Sequence, residues 1–259
     1  MLKKIAVILR GHRRTWDYTK QTIFKFFEDK AEIVDYYVSW WRTGSASYES
    51  INNDFQGRRL KACKLTEEIN RYCDPFYSPC FLSNLLIKEI SEEELSSNQC
   101  YDLIIETRPD VIHYSHSYSS RWFCPDRSIG FTKIDIDKGR VIGLTDHCYV
   151  AKSHSLFLYN TKVHLDIDYN FDPPLQLGHH TFYLRFMEYV HLEYWENPWF
   201  NSMIVRPTIC EFPEYIMDSF YRSCDTWKYL SKQERIAVIQ KANIPVSDYN
   251  LHLDTYLPK

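Results

Sequence analysis

KIAVIL, residues 4–9, is a short unbroken apolar run rich in branched side chains, and it leads through RGHRR (10–14) into TWDYTKQTIFKFFED (15–29) and EIVDYYVSWW (32–41). An apolar run without alternation is the pattern of a strand covered on both faces, as in a parallel sheet. In 15–29, Trp16, Thr19, Ile23, Phe26 and Phe27 recur at helical spacing, with Thr15 placed as N-cap and Asp17 in the first turn. The run at 32–41 then completes a strand-helix-strand unit.

Working outward, RTGSASYESINNDFQGRR (42–59) is polar and holds two of the seven glycines, so it reads as a long mobile loop of the kind used as a lid. DPFYSP (74–79) turns the chain into CFLSNLLIKEISEEEL (80–95), whose Phe81, Leu82, Leu85, Leu86 and Ile90 form one apolar helical face. YDLIIETRPDVIHY (101–114) follows as a strand that ends in charges. GFTKIDIDKGRVIGL (130–144) alternates about Lys138-Gly139 and predicts a hairpin. Helices are expected at 153–165 and 181–194, a short strand at 202–207, and a capped terminal helix at 231–242. The sum is an α/β protein: a mostly parallel central sheet flanked by helices, with a small antiparallel hairpin, in one domain over 1–259.

Bulk properties narrow the function. A formal net charge of -3 with 25% charged residues argues against a broadly basic nucleic-acid surface and against a disordered acidic tail. Aromatic residues at 16% suit pockets that stack flat rings or sugar faces, and equally an aromatic core. The eight cysteines include no C-x-x-C pair, so they read as reduced and mostly buried. No segment approaches the roughly 18 apolar residues of a membrane span, and MLKKIAVIL meets Arg10 too soon for a secretory signal, so a soluble cytoplasmic protein is expected.

In parallel sheets ligands sit beyond the carboxyl ends of the strands. Three such ends, RGHRR, SWW (39–41) and ETRPD (106–110), combine basic, aromatic and acidic groups. Gly11 lets a ligand approach backbone, and Arg10, Arg13 and Arg14 precede a helix N-terminus that favours anions. The cluster also fits an ordinary solvated basic loop. G-x-G-x-x-G and P-loop patterns are both absent, which disfavours a dinucleotide-dependent dehydrogenase or a P-loop kinase. Asp110, just past a buried strand, fits a diphosphate site in which a divalent ion on Asp110 and the Arg108 guanidinium neutralise a leaving group. It fits as well an internal Arg108–Asp110 ion pair or a cap.

KIAVILRGHRRTW, the strand ending in Trp, YDLIIETRPDV and DHCYVAKSHSLFLY (146–159) together resemble the successive blocks of small GT-A-type glycosyltransferases found in phages, notably cyanophages, and in surface-polysaccharide gene sets. The likeness spans most of residues 3–210, and TRPDV is its best piece. It implies a GT-A-like, Rossmann-like fold with a nucleotide-binding half at 1–114 and an acceptor-side half at 115–259. It implies transfer from a UDP-sugar, of the UDP-glucose or UDP-glucuronate class, to a saccharide or other hydroxyl acceptor. If the gene is a phage's, the site of action is the host cytoplasm.

In that family a D-x-D motif holds Mn²⁺ or Mg²⁺ against the diphosphate. The matching place here is Arg108-Pro109-Asp110, with Asp110 as metal ligand and Arg108 where the first aspartate would be. By the same resemblance Leu9, Arg10 and Gly11 border the uracil and Trp40 lies near the nucleoside. Asn84 and Lys88, four apart on one helix face, reach toward ribose or donor sugar, or form a plain polar helix side. Asp146 is the candidate general base or acceptor-orienting carboxylate, with His147 second and a turn aspartate as the structural alternative. His179 or His180 is a further candidate metal ligand; HYSH (113–116) is a weak metal signal, and Glu188, Glu193 and Glu196, read as lying on the helix that follows, are unranked. Alternatives to the transferase are a nucleotide-sugar hydrolase and a non-catalytic nucleotide- or carbohydrate-binding module.

Overall fold

The computed structural model describes residues 2–13, 16–42, 46–67, 77–115, 125–131, 134–137, 140–144, 148–152, 187, 191–196 and 200–204. Strand β1 (Leu2–Gly11) is buried along almost its whole length, as its unbroken apolar run requires. Helix α1 (Trp16–Glu28) and strand β2 (Ala31–Trp41) follow, and β2 pairs parallel to β1 with Leu9 opposite Val38 and Gly11 opposite Trp40.

The next segment corrects the expected loop at 42–59. Residues Tyr48–Asp54 form a short helix, α2, and Arg59–Thr66 form strand β3, parallel to β2 at the sheet edge. Two serines make the helix. The Ser47 side chain accepts from the Ser50 N–H at 3.0 Å, and the Ser47 N–H donates to the Ser50 hydroxyl at 3.1 Å, a reciprocal cap. Ile51 and Phe55 then bury their side chains, Phe55 stacking on Trp16 at 5.6 Å and meeting Phe24 edge-on at 5.1 Å. Burial of two such groups contributes roughly 1.5–3 kcal/mol each, enough to order an otherwise polar stretch.

Helix α3 (Tyr77–Ser97) buries Leu82, Leu86 and Ile90 on the expected face and leads into β4 (Leu103–Thr107), which pairs parallel to β1 on the side opposite β2. Strand β5 (Val111–Ser115) leaves the main sheet after the turn. Strand β6 (Ser128–Phe131) joins the main sheet rather than the hairpin, which is confined to β7 (Ile134–Asp137) and β8 (Arg140–Leu144). Strand β9 (Cys148–Ala151) runs antiparallel between β4 and β6, and β10 (Glu193–Glu196) pairs parallel to β6. Strand β11 (Phe200–Ile204), two residues earlier than the expected 202–207, pairs antiparallel to β5.

The sheet order is β10-β6-β9-β4-β1-β2-β3, with β9 alone running against the rest. This is the mostly parallel α/β fold expected. Because the β1-to-β2 and β3-to-β4 crossovers run in opposite directions, right-handed connection puts α1 and α3 on opposite faces. Ile5, Val7, Leu9, Val34, Val38 and Trp40 pack with α1. Lys4 and Asp35 face the other way, toward Glu93 of α3.

Further corrections concern the later chain. Glu193 and Glu196 lie on β10, not on a helix: the turn at His191, with φ 53, precedes the strand and ends any helix before it. Of the described cysteines Cys148 is buried, Cys63 half-buried and Cys100 exposed, and all three are free thiols, so burial is not general. The helices expected at 153–165 and 231–242, most of that at 181–194, the Lys138-Gly139 turn and the Thr15 cap lie outside the described residues.

Candidate functional site

Strand β1 has β2 on one side and β4 on the other, so the chain reverses its direction of travel between β1 and β4. Open α/β sheets form a crevice at such a point, outside the carboxyl ends of the two strands. Gly11 ends β1 and Thr107 ends β4. Their continuations touch: a Cβ on Gly11 would lie 3.9 Å from Cδ of Pro109. Gly11 has φ 119, a conformation that glycine adopts without a side-chain clash.

The turn beyond β4 is tied down from three directions. Arg108 donates from Nε to Oδ1 of Asp110 and from Nη2 to Oδ2, both at 2.8 Å, a two-pronged pair. The Thr19 hydroxyl of α1 donates to the Pro109 carbonyl. Thr107 Oγ1 and His113 Nε2 are 3.0 Å apart, and Phe26 and Phe27 pack against the imidazole. The Asp110 side chain is 2% exposed and that of Arg108 17%. The internal Arg108–Asp110 ion pair, one of the readings open in the sequence, is present.

Arg10, on the α3 face of β1, pairs through Nε with Oε1 of Glu106 on β4, and its guanidinium carbon sits 5.2 Å from the Tyr149 ring centroid on β9. Arg13 donates to Asp17 at 3.0 Å and to Asp54 at 3.1 Å. Asp54 also accepts from the Trp16 indole N–H at 2.9 Å and from Lys20 at 2.7 Å, which pushes the Lys20 pKa upward. Each of these three arginines is therefore matched by a carboxylate of the fold.

Leu9, Arg10, Gly11, Arg13, Arg108 and Asp110 thus gather at one edge of the sheet. The other expected residues that the structure describes are placed differently. Trp40 borders the edge through its backbone, opposite Gly11, but its ring is fully buried in the α1 core, 5.2 Å from Trp16. Stacking on a base requires an open ring face, and this one is covered. Asn84 is half-buried on α3, and Lys88 is exposed and reaches Glu92 at 3.6 Å on its own helix. Asp146, His147, His116, His179, His180, Glu188 and Arg14 lie outside the described residues.

A divalent ion fits these side chains poorly. Both Asp110 oxygens accept from Arg108, and among the described residues no group of three or more His, Cys, Asp or Glu side chains is arranged to hold a metal. Hard divalent cations favour several oxygen ligands.

Sequence reading placed Glu106 at this edge within ETRPD but not its pairing with Arg10, and it missed Thr19, Asp54 and Tyr149 as parts of the edge. Glu106 had a signal: a carboxylate closing a buried apolar strand demands a cation, and Arg10 ends the neighbouring strand. Thr19 and Asp54 had none, because their partners are set by the packing of α1 and α2.

No protein-family model and no curated protein matches the chain. Among solved structures, one similar chain is described as the crystal structure of a glycosyltransferase involved in the glycosylation of the major capsid of PBCV-1. It has a TM-score of 0.41 and 11% identity, and the match covers 83% of this chain and 91% of that one. Superposition at that level assigns neither substrate nor residues.

Proposed function

We propose that the protein is a glycosyltransferase that moves a sugar from a UDP-sugar, of the UDP-glucose or UDP-glucuronate class, to a saccharide or other hydroxyl acceptor. The observation that carries the reading is the seat of Arg108: a partly exposed guanidinium on a braced turn, beside the open backbone of Gly11, at the reversal point of a parallel sheet. A diphosphate leaving group needs a held cation and close backbone approach, and both are supplied at one edge. The resemblance of RGHRR and TRPDV to glycosyltransferase blocks supports the same reading.

In the reaction the bond from sugar C1 to the β-phosphate oxygen breaks with its electron pair remaining on that oxygen. A bond forms from C1 to the acceptor oxygen, whose proton passes to a base, the role proposed for Asp146 or His147. A bound Mn²⁺ or Mg²⁺ would supply additional charge to the leaving oxygen, with Asp110 as its sequence-level ligand, but the Arg108–Asp110 pairing does not favour that arrangement. Leu9, Arg10 and Gly11 are proposed to border the nucleoside. The reaction is placed in the cytoplasm, the host's if the gene is a phage's. Among the described residues no helix is long and apolar enough to cross a membrane.

The test is UDP release from UDP-glucose and UDP-glucuronate with and without a panel of saccharide acceptors. Release that rises with acceptor, together with a glycosylated product, is expected. One observation favours a second reading, a non-catalytic binding module: Arg10, Arg13 and Arg108 are all engaged by carboxylates of the chain. UDP binding without product formation with any acceptor would select it.

A further inference from the structure

A cavity of about 340 Å³ opens at the amino end of the sheet, away from the Gly11–Thr107 edge. Its size falls at the lower end of small-molecule sites. Glu28 closes α1, Glu32 and Ile33 begin β2, and Gly57, Arg58 and Arg59 lead into β3; all six line it. The charged groups are held in place but not used up. Glu28 Oε1 accepts from Arg58 Nε at 2.9 Å and from the Tyr36 hydroxyl at 3.2 Å, and the Arg58 guanidinium lies 3.8 Å from the centre of the Phe24 ring. Arg59 donates from Nε to Asp35. The Nη groups of both arginines, Oε2 of Glu28 and the carboxylate of the exposed Glu32 make no hydrogen bond to the described residues. At Gly57 a Cβ would meet nothing within 4 Å, so bare backbone faces open space there.

This arrangement disfavours a charged ligand. Phe24 belongs to the core packed with α1 whereas Asp35 faces α3, so Arg58 and Arg59 are tied to opposite faces of the sheet and do not clamp one anion. An anion would also meet Glu28 and Glu32. A cation would meet the two guanidinium groups, and among the described residues no group of three or more His, Cys, Asp or Glu side chains is arranged to hold a metal. Two carboxylates and two guanidinium groups sum to no net charge, yet they set strong acceptors beside strong donors. A hydroxyl both donates and accepts, so a neutral molecule with several of them satisfies both kinds at once through charge-assisted bonds.

We propose that this cavity is a second, non-catalytic binding site for a neutral saccharide. Glu28 and Glu32 accept from its hydroxyls, Arg58 and Arg59 donate to them, and Gly57 lets the sugar come against backbone. The rise of about 3.3 Å per strand residue puts roughly 26 Å between Glu32 and Trp40 at the other end of β2, so a sugar held here does not reach the catalytic edge. The inference goes beyond the transferase reading and does not depend on it.

The experiment follows backbone amide and arginine Nε resonances of the full chain by two-dimensional NMR during titration with glucose, galactose, mannose, maltose, cellobiose and lactose, and separately with inorganic phosphate and with putrescine. At least one sugar is expected to shift Ile33, Gly57, Arg58 and Arg59 at millimolar concentration, while phosphate and putrescine leave them in place. Glu32→Gln should weaken that sugar by at least about fivefold, the loss of one bond to a charged group. Thermal unfolding should be unchanged in this variant, because Glu32 makes no hydrogen bond to the described residues. Glu32→Lys makes the cavity net positive, and should lose the sugar and gain phosphate.

No shift of these resonances by any of the sugars, a wild-type response to phosphate or putrescine as large as that to sugar, or an unchanged sugar affinity in Glu32→Gln overturns the inference. Sugar shifts confined to Gly11, Thr107 and their neighbours overturn it as well and leave the transferase reading standing. Sugar binding at the cavity without UDP release in the assay above would do the reverse.

Discussion

Arg10 on β1 and Glu106 on β4 close a buried ion pair across the two strands between which the sheet reverses. Both side chains are almost wholly out of water, and the Tyr149 ring covers the guanidinium. Desolvation offsets much of the attraction in such a pair, but removing one partner strands the other charge in the interior. Glu106→Gln is therefore expected to cost about 3–5 kcal/mol of unfolding free energy, while Arg10→Met with Glu106→Leu recovers most of it. Urea denaturation of the three proteins checks this. Equal losses in the single and double variants would show that the two residues do not act as a unit.

Asp54 joins α2 to the start of α1 by accepting from Arg13, Trp16 and Lys20. Asp54→Ala removes three contacts around a mostly buried carboxylate and is expected to lower stability by about 1–3 kcal/mol. Asp54→Asn keeps an acceptor for the indole N–H and should cost less. Thermal unfolding in low and high salt tests both points: the wild-type advantage should shrink with salt, through the partly exposed Lys20 contact, without disappearing. An advantage that salt abolishes completely would leave the Trp16 bond without weight.

What could be read from the chain depends on whether a residue's partner is local or distant. KIAVIL needed no partner to be read as a covered strand, and the period of Trp16, Ile23, Phe26 and Phe27 is internal to α1. The basic and acidic groups at the strand ends were equally visible. Their mutual pairing was visible only at Arg108 and Asp110, two residues apart; Arg10 finds Glu106 across 96 positions and Arg13 finds Asp54 across 41. The helix over Tyr48–Asp54 escaped for the same reason, because its buried side is completed by Trp16 and Phe24 rather than by its own sequence.

Gly11 and Gly130 should both resist substitution, for different reasons. At Gly11 an added methyl meets Pro109 at an ordinary 3.9 Å, so Gly11→Ala suffers from φ 119 alone, about 1–2 kcal/mol. At Gly130 on β6 the methyl would sit 2.6 Å from Cζ2 of Trp195 on β10, an overpacking worth about 1–3 kcal/mol. Truncating the neighbour separates them. Trp195→Ala should cancel the cost of Gly130→Ala, whereas Pro109→Ala should leave the cost of Gly11→Ala in place, both measured by denaturant unfolding. Relief at Gly11 would shift the explanation there from backbone to contact.

Glu93 gives the pH dependence at the opposite end of the sheet. Its Oε2 accepts from Lys61 at 2.9 Å and its Oε1 from Lys4 at 3.2 Å, and these cations, Lys61 first, hold its pKa below the ordinary 4.5 against the contrary pull of burial. The folded protein therefore binds a proton on Glu93 less readily than the unfolded chain. The stabilisation is present in full above the unfolded value and is lost as pH falls through the lower folded one. Wild type should exceed Glu93→Gln in stability by a constant margin from neutral pH down to about pH 5, and the margin should close progressively below about pH 4.5. Asp35, which also approaches Lys4 at 3.6 Å, is present in both proteins, so subtracting one curve from the other isolates Glu93. A margin that widens on acidification would reverse the sign and place the lysines' influence elsewhere than on this carboxylate.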